Sequence, residues 1–322
     1  METVLVTGGA GFIGSNTVKA LLQKGYRVLC LDNFADDLYD PKYKEGYVAE
    51  LSSHENFVLY RADICDFEAV KEIFQKEKIS YVIHLAAKAN TRKAVGEPHS
   101  YVEVNIGGTI NILELAKEFN VLNTVIASSS SVYGNSDRMP WKEDDIADRP
   151  LSPYGMTKRS DEVLAYTYHH NFKLNITCLR YFNAYGENNR PDLVPYIWGM
   201  AILKGGEIEI SGDGSRKRDY TYIGDIVDGT IRAMEKPLGF EIINLGNNQP
   251  TSLKELVGVF ERVTDFEVKV KSRPSHTSSV ESTYADITKA KELLGWKPTT
   301  SIEEGITKLV NWLRDNRLKE AL

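Results

Sequence analysis

The sequence predicts an α/β protein, with a doubly wound parallel sheet followed by a smaller C-terminal α/β region. Three observations carry this prediction. Short β-branched runs alternate with longer helical segments as far as Tyr185. A glycine pattern stands where the first strand meets the first helix. Beyond Tyr185 the strands shorten and turns multiply.

The strands are read at "TVLVT" (3–7), "RVLCLD" (27–32), "FVLYRAD" (57–63), "YVIHLA" (81–86), "TVIAS" (124–128) and "NITCLRYF" (175–182). Their apolar runs are unbroken, so both faces of the sheet are covered. Segment 12–24 has helical period at Ile13, Thr17, Val18, Leu21 and Leu22, with Gly25 as its C-cap. Residues 100–119 predict a second long helix, with Ile106, Ile110, Leu113 and Ala116 on one face. "FEIINLG" (240–246) returns the chain to the sheet. Segments 251–263 and 286–294 and the stretch from Ile302 predict helices, "GWKP" (295–298) separating the last two. The expected domains are 1–184, with a return segment at about 222–246, and a second region of 185–221 and 247–322.

Composition excludes several classes. The chain has 322 residues and a formal net charge of −6, and its short basic run "SRKR" (215–218) is too small for a nucleic-acid footprint. Cys30, Cys65 and Cys178 lie far apart in or beside apolar runs, without metal-ligand spacing. They read as free thiols in a reducing cytoplasm, and no metal is expected. No signal peptide or membrane span is read.

"VTGGAGFIGS" places Gly8, Gly11 and Gly14 between a strand and a helix. The first permits a tight turn, the second lets backbone approach a pyrophosphate, and the third packs helix on strand, as in a Rossmann-type dinucleotide fold. Asp32, 18 residues after Gly14, ends the second strand and is placed to accept from a ribose 2′-OH. No Arg follows it, which favours NAD over NADP. Asp63 is placed to bond the adenine amino group. In "LSPYGMTKRSDEV", Ser152 suits an N-cap and Pro153 the first helical position, so Tyr154 and Lys158 share a face as i and i+4. A phenol titrates near about 10, and an adjacent ammonium favours its ionised form. Such a phenol can take a proton from a sugar hydroxyl.

These motifs, with "HLAAKA", "SSSSVYG" and "RYFNAYG", resemble the extended short-chain dehydrogenase/reductases that act on nucleotide sugars. The resemblance runs the length of the chain, into "GDGSRKRDYTYIGDI" and "TYADITKAKELLGWKP". It implies a tightly bound NAD that takes hydride from C4 of a UDP-sugar and returns it. It makes Tyr154 the base, Lys158 its partner on the nicotinamide ribose, and Ser129 the hydroxyl on the reacting O4. It assigns to the cofactor Phe12, Ile13, Asn33, Ile64, Leu85, Ala86, Ala87, Lys88, Asn105 and Tyr181 besides the glycines, Asp32 and Asp63. For Asn105, an N-cap or helix-packing role is the rival to a nicotinamide-side contact. Asn183 and Arg218 resemble pyrophosphate contacts, and Leu193 and Ile210 a uracil pocket. Arg92 either faces substrate or caps the next segment. A homodimer is implied, through helices 100–119 and 154–171.

The serines select the reaction. Dehydratases of this family carry an Asp–Glu pair where Ser130 and Ser131 stand, and pentose-forming decarboxylases a Glu at Ser131. Neither acid is present, which points to a 4-epimerase. The segment "LDNFADDLYDPKYKEGYVAEL" and "YGENNRPDL" resemble the subgroup acting on UDP-glucuronate, where Ser130, Ser131 and Arg190 suit the sugar carboxylate. Asn183 departs from that subgroup's usual Thr and suits a UDP-glucose or UDP-N-acetylglucosamine epimerase. Ser278–Ser279 stand where Gly–Asp is usual, leaving open whether Arg273 supplies the second phosphate contact. A non-catalytic NAD-binding sensor and a net reductase are the remaining alternatives.

Overall fold

The structure, a computed structural model, describes residues 1–274 and 280–318. Seven strands form one parallel sheet in the order Phe240–Leu245, Ile176–Tyr181, Asn123–Ser129, Tyr81–His84, Thr3–Thr7, Arg27–Asp32 and Phe57–Arg61. The order reverses between Thr3–Thr7 and Tyr81–His84. A ligand crevice is expected there, beyond the carboxyl ends of the strands.

The unbroken apolar strands feed both faces. Val4, Val6, Val28 and Cys30 enter one buried cluster, while Leu5, Leu29 and Leu31 enter the cluster on the other side. Helix Phe12–Gln23 buries Val18, Leu21 and Leu22 and packs against helix Ile223–Glu235, which leads into the return strand Phe240–Leu245.

The expected helix over 100–119 is present but not uniform. A π-helical turn, Val102–Gly107, separates Pro98–Tyr101 from Gly108–Glu118. The wider turn rotates the apolar face. Ile112, Leu113, Leu115 and Ala116 are therefore fully buried, and Ile106 and Ile110 only half-buried.

The second core gathers Tyr185, Trp198, Ile208, Phe260, Leu309 and Leu313. Strands Glu207–Ser211 and Lys269–Arg273 pair in parallel beside helices Val194–Leu203, Leu253–Thr264 and Ile302–Leu313. Helix Leu253–Thr264 opens with a capping box, Ser252 with Glu255. One boundary differs from expectation. Ala285, Ile287, Ala290, Leu294 and Trp296 pack with Trp141 and Phe182 in the core of the sheet, not in the second region. Trp296 Nε1 donates to the Asp225 carbonyl at 2.9 Å, and Trp141 bridges Ala285. The two indoles are fully buried and draw segment 285–296 back across the molecule. Helix Lys42–Ala49 joins the two cores, with Tyr43 edge-on to Tyr196 and Tyr47 beside Trp312. Among the described residues no helix is long and apolar enough to cross a membrane.

Candidate active site

A cleft of about 600 Å³ runs from the glycine loop over the carboxyl ends of the strands into the second core. Its first half is built by close backbone contact. Gly8 sits at φ +66°, and a Cβ there would stand 2.7 Å from the Ala86 nitrogen. A Cβ on Gly14 would stand 2.1 Å from the Gly8 carbonyl oxygen. Gly11 starts the helix without a side-chain cap, so the first-turn amides are open to an anion. Asp32 accepts from Ala10 N at 3.2 Å, Phe34 N at 2.9 Å and Lys44 Nζ at 3.0 Å. Asp63 accepts from Asn33 Nδ2 at 2.8 Å. A dinucleotide fits this cradle: uncapped amides for phosphates, and a carboxylate at the end of the second strand for a ribose.

Of the residues expected at the cofactor, Gly8, Gly11, Phe12, Ile13, Gly14, Asp32, Asn33, Asp63, Ile64, Leu85, Ala86, Ala87, Lys88, Tyr154, Lys158 and Tyr181 line the cleft. Asn105 does not. It is fully buried, bonded to both Lys88 backbone groups (2.8 and 3.1 Å) and to Thr157 Oγ1 at 2.9 Å. It braces the loop behind the cofactor wall, closer to the packing reading.

The candidate reacting centre lies at the carboxyl end of strand Asn123–Ser129. Ser129 is in extended backbone, and its Oγ accepts from Ser131 N and donates to Ser131 Oγ, both at 3.1 Å. Ser128 turns away and donates to Glu162 Oε1 at 2.6 Å. Ser129, Ser130 and Ser131 line the cleft. Helix Pro153–Phe172 starts as expected: Ser152 Oγ accepts from Gly155 N at 3.2 Å. A Cβ on Gly155 would stand 2.7 Å from the Ser131 carbonyl oxygen. Glycine there lets the helix seat against the serine turn and brings Tyr154 to it. Lys158 is buried, its ammonium 3.2 Å from Asp161 Oδ2.

Below this centre the groups are tightly paired. Arg180 donates to both Glu162 oxygens at 2.7 and 2.9 Å. Burial pushes the Glu162 carboxyl up, but Arg180, Ser128 and Arg159 outweigh it and hold it below the usual carboxylate range. His84 lies between Thr7 Oγ1 (2.7 Å) and Thr109 Oγ1 (3.0 Å). Burial, aided by Lys158, lowers it to about 3 and keeps it neutral.

Arg190 lines the cleft, but Asp192 takes its Nε and Nη2 at 3.0 and 2.7 Å, and the Ala89 carbonyl takes Nη2 at 2.8 Å. Nη1 makes none of these bonds. At the far end Arg92, Arg216, Arg218 and Arg273 converge on the cleft. Asn90, not Arg92, caps the helix Thr91–Gly96. Burial and then Arg273 lower the Arg92 guanidinium, a crowding of cations that an anion relieves. Arg218 is steadied by the carbonyls of Lys217, Val280 and Glu281. Asn183 and Leu193 also line the cleft. Ile210 does not: it is buried in the second core, and its strand neighbours Glu209 and Ser211 face the cleft instead. Alternation along the strand decides this. Ser278–Ser279 lie outside the described residues.

The sequence profile of the family described as GDP-mannose 4,6 dehydratase matches residues 5–309. The chain belongs to that family of extended short-chain dehydrogenase/reductases. Among its relatives, a UDP-glucuronate 4-epimerase of Thermodesulfobacterium geofontis is 46% identical over 98% of this chain and 97% of its own. The crystal structure of a UDP-glucuronic acid 4-epimerase from Bacillus cereus, with UDP-glucuronic acid and NAD, has a TM-score of 0.91 and 34% identity, over 97% of this chain and 99% of that one. A UDP-glucose 4-epimerase of Thermotoga maritima, solved with UDP-glucose, has a TM-score of 0.87 and 34% identity over the same shares.

Within this extended dehydrogenase/reductase, sequence reasoning missed Lys44, Arg216, Asp161 and Lys88's role. Lys88 Nζ pairs with Asp37 at 3.0 Å and reaches Ser100 Oγ at 3.2 Å. Lys93 bonds the Asp37 carbonyl. Together they fasten the long segment after Asp32 across the cleft. Lys44 had a signal, since it follows the second strand as a 2′-phosphate-binding cation would, but only the fold turns it onto Asp32.

Proposed function

We propose that the chain is an NAD-dependent UDP-sugar 4-epimerase that interconverts UDP-glucuronate and UDP-galacturonate. One arrangement carries this reading. Tyr154 and Lys158, four residues apart on one helix, line the same cleft as Ser129, and the positions beside Ser129 hold hydroxyls rather than carboxylates. A base without a second acid can oxidise and re-reduce C4 but has no group to expel a neighbouring hydroxyl. The relatives described as UDP-glucuronate 4-epimerases support the choice of sugar.

Bound NAD supplies the reversible oxidation of C4. The protein moves the proton. Ser129 Oγ holds O4, and the Tyr154 oxygen, in phenolate form beside the Lys158 ammonium, accepts the O4 proton. The resulting 4-keto sugar is planar at C4 and turns over while Arg92, Arg218 and Arg273 anchor the diphosphate. Tyr154 then returns the proton to O4, so the residues end as they began. With a carboxylate at C5 the keto sugar is a β-keto acid, which loses CO₂ when the C5–carboxylate bond aligns with the carbonyl π system. The hydroxyls of Ser130 and Ser131 and Nη1 of Arg190 hold the carboxylate out of that alignment.

Replacing Tyr154 with Phe is expected to lower kcat about 10²- to 10⁴-fold with NAD still bound. Full turnover in that variant would overturn the mechanism. Asn183, whose Oδ1 accepts from Thr283 Oγ1 at 3.0 Å at the sugar end, favours UDP-glucose as a second reading. NMR of the products from UDP-glucuronate, UDP-glucose and UDP-N-acetylglucosamine separates the two. Exposed Val102, Met156, Val163 and Tyr166 on neighbouring helices form the face through which two copies pair, read by light scattering. The three separate free cysteines suit a reducing cytoplasm.

A further inference from the structure

We propose that Asp161 is a positioning residue of the catalytic pair, holding the Lys158 ammonium on the helix behind Tyr154 and weakening the positive field that Tyr154 feels. This rests on the roles of Tyr154 and Lys158 proposed above. Tyr154, Lys158 and Asp161 are spaced i, i+4 and i+7 on helix Pro153–Phe172, so they lie along one face with Lys158 in the middle. Lys158 Nζ and Asp161 Oδ2 are 3.2 Å apart, with side-chain exposures of 3% and 0%. Asp161 Oδ1 is buried with no hydrogen-bond partner among the described residues.

Its surroundings leave Lys158 as the group that answers its charge. From the strand Tyr81–His84 comes His84, which stays neutral. From Ile176–Tyr181 comes Cys178, whose thiol burial keeps protonated. From Gly108–Glu118 comes the Thr109 hydroxyl. On its own helix Glu162 is matched by Arg180 and Arg159. Burial pushes the Asp161 carboxyl up to about 6, with Lys158 as the chief opposing influence. Asp161 takes one of the three ammonium N–H groups, leaving two for a ribose.

The effect on Tyr154 follows from distance. Seven residues of helix at about 1.5 Å rise put Asp161 about 10 Å from Tyr154. At an effective dielectric of about 20, one unit charge at that range is worth about one pH unit of proton affinity. The test is the phenolate absorbance of the NAD-loaded enzyme as pH rises, taken as the difference from Tyr154→Phe. In Asp161→Asn the Tyr154 midpoint is expected to fall by about one pH unit, and the acid limb of kcat/KM with it, while Asp161→Glu restores the original value. An unchanged or higher midpoint in Asp161→Asn with NAD retained would overturn the proposal. So would failure of both variants to fold, which would make the carboxylate structural. The titration uses no sugar, so a wrong substrate assignment leaves it standing. Absence of any Tyr154 transition would sink the catalytic pair as well.

Discussion

Replacing Gly14 with Ala tests whether the glycine loop is built by contact or merely tolerates small residues. A Cβ at this position would stand 2.1 Å from the Gly8 carbonyl oxygen and 2.7 Å from the Gly9 Cα. Ordinary contact begins near 3.4 Å, so helix and loop must separate by about 1.3 Å. Neither partner can swing aside, because both are backbone. One belongs to the loop after the central strand, and the other to a helix buried through Val18, Leu21 and Leu22. Overpacking costs about 1–3 kcal/mol, and rigid backbone on both sides puts this case at the upper end. With a urea slope of about 1–3 kcal/mol per molar, the midpoint of unfolding is expected to fall by about 1 M. The same shift moves the uncapped amides, so NAD content, read from the 260/280 nm absorbance ratio, is expected to fall too. Gly46→Ala is the control: it lies in helix Lys42–Ala49 with nothing within 4 Å of a new Cβ. It is expected to leave stability unchanged or raise it by up to about 1 kcal/mol. A Gly14→Ala protein with the original urea midpoint and full NAD would refute the contact argument.

Arg180→Met leaves Glu162 buried with only Ser128 and the partly exposed Arg159, and is expected to cost about 3–5 kcal/mol in urea unfolding; adding Glu162→Gln should recover part of the loss. His84 adds a pH term. Its pKa is about 3 folded and about 6.5 unfolded, so its stabilisation is complete above pH ~6.5 and declines as pH falls toward 3. Asp161 and Asp219, each raised to about 6 chiefly by burial, act oppositely: their folded forms retain protons that the unfolded chain has released, so they favour the fold as pH drops below 6. Subtracting the unfolding curves of His84→Asn from those of the parent isolates the histidine. The parent should lose about 1.5 kcal/mol more between pH 6.5 and 5, and parallel curves would contradict this.

The strands and helices of the first region, the glycine loop and the Tyr154–Lys158 face were legible in the sequence because each obeys a short-range rule. Apolar runs of strand length, glycines at the strand–helix junction and an i, i+4 pair behind an N-cap need no knowledge of distant residues. Ser129 was legible through its motif, and the missing acids at Ser130 and Ser131 through comparison with the same motif. The rule of alternation also explains the miss at Ile210: the strand was correctly located, but which side faced the cleft depends on the core behind it. Ile106 and Ile110 fail for a related reason, since a π turn changes the helical period in mid-segment.

Tertiary structure alone decided the pairings between separate elements. Asn105 turned from a cofactor contact into a brace because Lys88 and Thr157 took its polar atoms. Arg180 met Glu162, Lys44 met Asp32, and segment 285–296 crossed back to bury beside Trp141. The sequence by itself determined the sheet, the glycine cradle and the shared face of Tyr154 and Lys158, because local backbone geometry and residue spacing dictate them. That Lys44 answers Asp32 and Arg180 answers Glu162 was settled by topology: a buried ion takes the partner that the packed elements bring within about 3 Å, and spacing along the chain does not encode that.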